Sequence, residues 1–289
     1  MDERLQAATL RLLGARPTAW RAAGGGYTHN ERWVVDLEDA RTVFVKAAVD
    51  EMTAEWLRAE HAVYAALAAG YLPRLLAWED EELPVLVLED LSGADWPPPW
   101  TRERVDAVLA TLRDVAETPP PPGLASLEDL REELAGWREV EREPTPLLAL
   151  GVCSREWLDG ALPALVAAED VCRLEGEALL HLDVRSDNIC FREGRALLVD
   201  WSWAVRGNPV LDLAAWLPSL EAEGGPPPEA VLPEAPEAAA FMSGFFAARA
   251  GLPRIPTAPH VREVQLAQLR TALPWAARAL GLPEPRGSR

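Results

Sequence analysis

The stretch HLDVRSDN, residues 181–188, carries the residue types of a reaction centre. It contains Asp183 and Asn188, and a further aspartate, Asp200, ends the apolar run ALLVD that follows. An aspartate can orient an attacking hydroxyl, while amide and carboxylate oxygens are the ligands that Mg²⁺ prefers. Phosphoryl transfer from ATP requires these groups, so their spacing suggests that chemistry.

A β-hairpin is predicted between these groups, because NICF and ALLVD flank the turn REGR. Its strands bring Asn188 and Asp200 back to the same end, where both can reach one metal ion. Asp183 lies on the preceding loop, beside them. Arg185 follows closely and could approach the transferring phosphoryl group; the alternative is that it only stabilises the loop.

Lys46 is the only lysine among the 28 basic residues of the chain. Lysine is a compact point charge on a flexible stem, whereas arginine is a wide planar fork. We therefore expect Lys46 to need a narrow position, where it serves phosphate oxygens and a carboxylate together. The alternative is a leftover residue on a solvated strand.

The carboxylate partner of Lys46 is expected on the helix predicted over residues 53–69. Glu60 falls in the same stripe as Leu57 and Tyr64, and a glutamate inside an apolar stripe is costly unless it is paired. Glu55 is the competitor, but its neighbours at helical spacing are alanines. The pattern therefore favours Glu60.

A glycine-rich stretch, GGGYTHN, precedes the first predicted strand. Its Thr28 could offer a hydroxyl or a backbone N–H to a phosphate of the nucleotide. A glycine triplet on its own also fits a tight turn. The sequence leaves both readings open.

The elements that must position these residues fall into two parts. The first reads as mostly β, with strands at 33–37, 42–47, 74–78 and 85–88, a short helix at 5–14, and the long helix 53–69, which Thr53 can cap. After a proline run the pattern becomes helical, with candidates at 101–117, 126–142, 154–173, 211–220, 236–250 and 261–281, and only the hairpin interrupts it. The expected fold class is α+β, with domains at 1–90 and 91–289.

Composition limits the possible partners. The net charge of −18 argues against nucleic acid or an anionic membrane as the main partner, and it is compatible with a cationic small substrate. No apolar run reaches the roughly 18 residues that span a bilayer, and no signal peptide is recognisable. The three cysteines lack metal-ligand spacing. We expect a cytoplasmic protein with reduced thiols.

The block HLDVRSDNICFREGRALLVDWSWAVRGNPVLDLA resembles the aminoglycoside phosphotransferase and choline kinase-like family, distant relatives of protein kinases. The resemblance covers about residues 20–250. It implies a bilobal protein-kinase-like fold, with a small antiparallel β lobe and a larger, mainly helical lobe that hold ATP and Mg²⁺ in the cleft between them.

The resemblance also implies roles for single residues. Asp183 would be the catalytic base, Asn188 and Asp200 would bind Mg²⁺, and Lys46 with Glu60 would form the ion pair between the lobes. The segment from Glu89 to Leu91 would be the hinge against adenine, and Asp212 would brace the catalytic loop. The sequence departs from many relatives at Leu182, where they have glycine, and at Asn208, where aspartate is frequent; neither change removes the base or a metal ligand.

The expected function is therefore ATP-dependent, Mg-dependent phosphorylation of a hydroxyl on a small molecule. An aminoglycoside-like or other amino-bearing acceptor is the first expectation. A metabolic kinase for choline, homoserine or a sugar shares all the chemistry and stays open, as does a catalytically silent nucleotide-binding scaffold. A protein kinase is disfavoured, because no APE-like element and no long activation segment separates Asp200 from Asp212.

Overall fold

The computed structural model of the chain describes residues 3–24, 26 and 29–285. It shows an α+β protein in which a five-stranded antiparallel sheet precedes a larger, mainly helical part. The strands of this sheet are β1 (Pro17–Ala22), β2 (Glu31–Leu37), β3 (Thr42–Ala47), β4 (Leu75–Glu79) and β5 (Val85–Glu89). They lie in the order β1-β2-β3-β5-β4.

Both faces of this sheet carry buried side chains. Along β5, Val85 and Val87 pack into a core with helix α1 (Glu3–Leu13). The alternate residues, Leu86 and Leu88, join the main core of the molecule on the other face. Successive side chains of a strand point to opposite faces, so a strand buried on both sides becomes an apolar run such as VLVL.

Helix α2 (Glu51–Ala66) begins at Asp50. The sequence suggested Thr53 as the cap, but Thr53 is the third residue of a capping box. Asp50 Oδ1 accepts a hydrogen bond from Thr53 N at 2.8 Å, and Thr53 Oγ1 accepts one from Asp50 N at 3.0 Å. This reciprocal pair fixes where the helix starts, and thereby which residues it turns towards the sheet.

The remaining helices form the second part. They are α3 (Arg102–Glu117), α4 (Arg131–Leu134), α5 (Trp137–Arg142), α6 (Thr145–Ala149), α7 (Arg155–Asp170), α8 (Val210–Ala222), α9 (Pro228–Val231), α10 (Pro236–Arg249) and α11 (Val261–Ala279). Short 3₁₀ turns lie at Glu128–Leu130, Ser186–Asn188 and Trp201–Trp203. Among the described residues, none of the helices is both long enough and apolar enough to cross a bilayer.

The single helix expected over 126–142 is divided, and the reason is a close approach at Gly136. A Cβ on Gly136 would lie 1.8 Å from the carbonyl oxygen of Gly244 on α10. Only glycine allows this contact, and glycine also weakens a helix at that point. The chain consequently bends at Gly136 and restarts as α5.

The predicted hairpin is present, with β7 (Ile189–Arg192) paired to β8 (Arg195–Leu198). The expectation that it is the only β element of this part was wrong, because β6 (Ala178–Leu180) pairs with β9 (Val205–Gly207). Each of these strands has three residues, too few to show an alternating pattern. The extra ladder brackets the segment that carries the candidate catalytic residues.

Candidate active site

Asp212, at the start of α8, binds the backbone of the loop 181–188, which is called the catalytic loop below. Its Oδ2 accepts a hydrogen bond from His181 N at 2.8 Å, and its Oδ1 accepts one from Leu182 N at 2.6 Å. Burial raises the pKa of Asp212 to about 6, against the opposing effect of these two N–H donors. Leu182 has a φ of 60°, a left-handed conformation that L-residues adopt at a cost of about 1–2 kcal/mol. The two hydrogen bonds that Asp212 accepts keep the loop in that conformation.

His181 is part of the scaffold of the site. Its Nε2 lies 2.9 Å from the carbonyl oxygen of Val199, and its ring packs edge-on against Trp201 with centroids 4.6 Å apart. Burial lowers the pKa of His181 to about 4, so the ring is neutral near pH 7. A neutral buried imidazole bonded to the backbone ties the catalytic loop to the strand end that leads into Asp200.

Asp183 follows this braced turn and is held from two sides. Asn188 Nδ2 donates to Asp183 Oδ2 at 2.9 Å, and Arg185 Nη1 lies 3.1 Å from Asp183 Oδ1. Burial raises the pKa of Asp183 to about 7, although the Arg185 guanidinium opposes the shift. Arg185 also donates from Nε to Asp187 Oδ1 at 3.1 Å. The structure thus places Arg185 between two aspartates of the same loop.

Asn188 and Asp200 lie at the same end of the β7–β8 hairpin and line one cavity. Asn188 is buried, and its Nδ2 is engaged by Asp183, which leaves the amide oxygen as the atom that could bind a metal ion. Asp200 contributes carboxylate oxygens. An amide oxygen and a carboxylate are a donor set that fits Mg²⁺, because this ion takes oxygen ligands and is usually held by few protein groups besides phosphates and water.

Lys46 connects the two parts of the molecule. Its Nζ lies 2.7 Å from Glu60 Oε2 on α2 and 3.0 Å from Asp200 Oδ1, and the residue is 4% exposed. Burial lowers the pKa of Lys46, but the carboxylates of Asp200 and Glu60 outweigh it and raise the pKa. Tyr64 donates its hydroxyl to Glu60 Oε1 at 3.1 Å. Glu55, the competing partner, is exposed.

The contact with Lys46 also determines the charge of Asp200. Burial alone would raise the pKa of Asp200, but the Lys46 ammonium and a hydrogen bond from Ser202 Oγ lower it. Asp200 is therefore ionised at neutral pH. An ionised carboxylate beside a neutral amide oxygen is ready to bind a divalent cation without first releasing a proton.

Arg32 is a second cation of this site that the sequence reasoning missed. It lies directly opposite Lys46 in the β2–β3 ladder and lines the same cavity. Directly opposite residues of a ladder point to the same face of a sheet. Burial lowers the pKa of Arg32, while Asp200, Glu60 and Asp187 oppose that shift. Pairing the predicted strands 33–37 and 42–47 end to end would have placed Ala47, and not Lys46, opposite Arg32, so the predicted register offered no signal for this contact.

The cavity between the sheet and the hairpin has a volume of about 540 Å³. Glu89 and Leu91, predicted to face adenine, line it together with Asp90. The Glu89 carboxylate itself is bound by Arg192 at 3.0 Å and by Arg74 at 3.3 Å, so its side chain is committed to ion pairs. A contact of Glu89 with a base would therefore fall to its backbone. Thr28, the remaining predicted nucleotide contact, lies outside the described residues.

A second cavity, of about 450 Å³, opens on the other side of the catalytic loop. Asp183 and Arg185 line this cavity, whereas Asn188 and Lys46 line the first one. Asp200 lines both. The predicted site residues are thus brought together at the junction of two cavities, with Asp200 between them.

Comparison with known proteins assigns the sequence to a family. The sequence matches the profile of the phosphotransferase enzyme family over residues 19–250. A search of curated proteins finds no match.

The chain is also similar to solved structures. A spectinomycin phosphotransferase in complex with ADP and spectinomycin gives a TM-score of 0.64 at 12% identity, covering 98% of this chain and 99% of the other. A choline/ethanolamine kinase family protein from Mesorhizobium loti gives 0.58 at 15% identity, with coverages of 96% and 97%. A macrolide 2'-phosphotransferase from Brachybacterium faecium gives 0.52 at 17% identity, with coverages of 98% and 99%.

At these identities the solved structures show the fold, and the family profile, which covers most of the chain, shows the family. The predicted bilobal protein-kinase-like fold, the resemblance and the predicted enzyme class are confirmed. The chain belongs to the phosphotransferase enzyme family, and it is a small-molecule phosphotransferase.

Proposed function

We propose that the protein transfers the terminal phosphoryl group of Mg-bound ATP to a hydroxyl group of a small molecule. The observation that carries this proposal is the junction at Asp200, where a cavity lined by Lys46 and Asn188 meets a cavity lined by Asp183. A donor on one side and an acceptor on the other could react there in line. We further propose residues 1–90 as the nucleotide-binding lobe and 91–289 as the catalytic and substrate-binding lobe.

The nucleotide side of the reaction relies on charge. Lys46 and Arg32 supply positive charge to the phosphates, and the backbone of Glu89–Leu91 offers hydrogen bonds to the base. Asn188 and Asp200 would hold Mg²⁺, which neutralises charge on the phosphate oxygens as it develops. Since there is little covalent chemistry for the protein to do, positioning and electrostatic stabilisation account for most of the catalysis.

The acceptor side relies on Asp183. Its carboxylate would accept a hydrogen bond from the acceptor hydroxyl, orient the oxygen towards the phosphoryl group and take the proton as the new O–P bond forms. Asn188 and the braced turn at Leu182 fix the direction of the carboxylate. Arg185, held beside Asp183, would stabilise charge on the transferring group once a substrate displaces one of its present partners.

The similar structures support a small-molecule acceptor, since their names specify spectinomycin, choline or ethanolamine, and macrolides. The metabolic acceptors considered from the sequence remain alternatives, and the amino-bearing acceptor suggested by the net charge stays a prediction. A silent scaffold is disfavoured, because the lysine, its glutamate, the base and both metal ligands are all present in one site.

Replacing Asp183 with asparagine tests the proposal. We expect ATP binding to stay close to that of the wild type, because Asp183 lies on the acceptor side, and turnover to fall by about 10²–10⁴. ATP affinity is measured by calorimetry, and turnover by ADP release with a panel of hydroxylated compounds. Asp114→Asn, on the exposed face of α3, is the matched control. Near-normal turnover of the Asp183 variant would contradict the assigned role.

A further inference from the structure

The second cavity, which the proposed function assigns to the acceptor and which is called the acceptor cavity below, has a predominantly apolar wall. Met52 and Trp56 contribute from α2, at the edge of the first lobe. Phe241 and Phe245 of α10 and Val264 of α11 contribute from the other lobe. These side chains come from α2 and from two helices near the other end of the chain, so apolar residues lie on both sides of the cavity.

Carboxylates are scarce in this cavity although the chain is strongly acidic. The protein has 46 acidic residues, yet the described part of the lining contains only two carboxylates, Asp183 and Asp200. Both are already engaged, Asp183 by Arg185 and Asp200 by Lys46. A ligand with several ammonium groups would have to bury most of them without a carboxylate partner and close to the Arg185 cation, which is strongly unfavourable.

The exposed residues that line the cavity are two apolar ones, Met52 and Trp203, and two neutral polar or weakly basic ones, Thr257 and His29. Met52 is 40% exposed and Trp203 is 42% exposed, and both line the opening. Large apolar side chains clustered at the rim of a cleft mark a surface that contacts a ligand. No carboxylate is among these exposed lining residues, so the described entrance offers nothing that would favour a polycation.

One polar group in the wall lacks a partner. Gln268 is 6% exposed and lines the cavity, but its side chain makes no hydrogen bond to another residue in the described ranges. Its neighbour Gln265 is engaged, since Arg262 Nη1 donates to its Oε1 at 2.8 Å. An amide that lines the cavity without a protein partner can donate to, or accept from, a polar group of the ligand.

We propose that the acceptor is a hydroxyl-bearing molecule with a mainly apolar skeleton, carrying a polar group that Gln268 hydrogen-bonds, and that it is not a polycation. This inference rests on the proposed function, because it assigns the second cavity to the acceptor. The inference restricts the class of acceptor. The net charge of the protein suggests a cationic substrate, whereas the apolar wall of the cavity favours a mainly apolar one.

Binding of a homologous series tests the inference without requiring turnover. Straight-chain primary alcohols from butanol to octanol are titrated by calorimetry into protein saturated with Mg²⁺ and a non-hydrolysable ATP analogue, and kanamycin is titrated as the polycationic comparison. We expect affinity to rise roughly fourfold for each added methylene until the cavity is filled. Kanamycin should bind more weakly than octanol.

Two variants locate the binding site. Trp203→Ala removes an apolar side chain at the mouth and should lower octanol affinity several-fold. Val171→Ala removes an apolar side chain that is 69% exposed and does not line the cavity, and it should leave the affinity unchanged. Thermal unfolding of both variants shows that the fold is retained. Equal octanol affinity in the Trp203 variant and the wild type would overturn the assignment of the site.

The remaining outcomes distinguish a failure of the apolar-acceptor inference from a failure of the proposed phosphoryl transfer. Affinities independent of chain length, or tighter binding of kanamycin than of octanol, would overturn the inference. ADP release is measured with ATP and the same compounds. Release with kanamycin but not with the alcohols supports phosphoryl transfer and overturns the apolar acceptor. Chain-length-dependent binding without ADP release from any compound supports the apolar cavity and counts against the proposed function.

Discussion

At the scale of single residues, the surroundings of Lys46 explain why this position has a lysine in a chain whose other basic residues are all arginines. Its Nζ lies between Glu60 Oε2 and Asp200 Oδ1, at 2.7 and 3.0 Å, in a buried position. A compact group can contact two carboxylates from opposite sides, whereas a planar guanidinium needs a wider space and fixed directions for its donors. The pairing expected from the sequence is thus present in the structure; its catalytic role stays a prediction.

Lys46→Arg is expected to lower kcat/KM by on the order of 10², because even a displacement of about 1 Å in a positioned group can cost that much. Steady-state ADP release measures the effect. Arg102→Lys, the reverse exchange at a side chain that is 91% exposed, is the control and should have no effect. A variant with wild-type kcat/KM would show that the width of the cation does not matter at position 46.

The residues that sequence reasoning identified are those whose chemistry is unusual for their position. Asp183, Asn188 and Asp200 lie in a short block, and Lys46 is unique by composition. Arg32 was missed because arginine is common in this chain, and nothing in its local sequence distinguishes it. Its relevance depends on the strand opposite it, which is information about register and not about residue type.

At the scale of elements, three helices meet at one buried carboxylate. Glu169, near the end of α7, accepts hydrogen bonds from Gly136 N at 2.8 Å and Trp137 N at 2.9 Å, at the start of α5. A Cβ on Gly244 of α10 would lie 2.1 Å from Glu169 Oε1. The carboxylate therefore caps α5 through a space that exists only because α10 has glycine there.

The stability of this junction is expected to depend on pH. Burial raises the pKa of Glu169 to about 7, against the two N–H donors, while its usual value is 4.5. A folded-state pKa above the unfolded one means that the folded protein binds more protons between these values. The contribution to stability is complete below about pH 4.5 and is lost as the pH rises through about 7.

Glu169→Gln is expected to remove this contribution. Between pH 4.5 and 8 the free energy of unfolding of the wild type should fall by up to about 3 kcal/mol more than that of the variant, since one pKa unit corresponds to about 1.4 kcal/mol. Urea denaturation at several pH values measures both slopes. Comparing slopes allows for the lower absolute stability of the variant, whose amide has a single oxygen for two N–H donors. Parallel slopes would contradict the expectation.

The elements that the sequence predicted well are those with a long periodic pattern. Helices α3, α7, α10 and α11 lie close to their predicted ranges. Strand β1 was missed because PTAWRA is mostly exposed on both faces and shows no alternation. The break at Gly136 could not be foreseen either, because it depends on how closely α10 approaches.

At the scale of the whole molecule, the two lobes are joined by packing as well as by charge. Helix α2 of the first lobe packs against the Trp201–Trp203 turn that follows Asp200. Leu57 of that helix and Trp201 belong to the same buried core. The lysine–aspartate contact across the cleft is therefore supported by an apolar contact directly behind it.

Binding of Mg–ATP across this cleft is expected to raise the Tm. At a ligand concentration of about 100 times Kd the folded state gains about 2.7 kcal/mol, or roughly 5 °C for a chain of this size. ATP with EDTA should give a smaller shift. In Asp200→Asn the difference between the two conditions should disappear, whereas Asp106→Asn, on exposed α3, should retain it. A Tm that is indifferent to Mg²⁺ in the wild type would contradict the assigned metal ligands.

The bridge between Lys46 and Asp200 joins residues that are 154 positions apart. During synthesis on the ribosome, the sheet and α2 emerge long before the hairpin that carries Asp200. The early chain can pair its lysine with Glu60, but it lacks Asn188 and Asp200 and therefore the opposite wall of the cleft. If the proposed function holds, nucleotide would be captured only after the hairpin has been translated and the two lobes have assembled, and ATP would then stabilise assembled molecules over nascent ones.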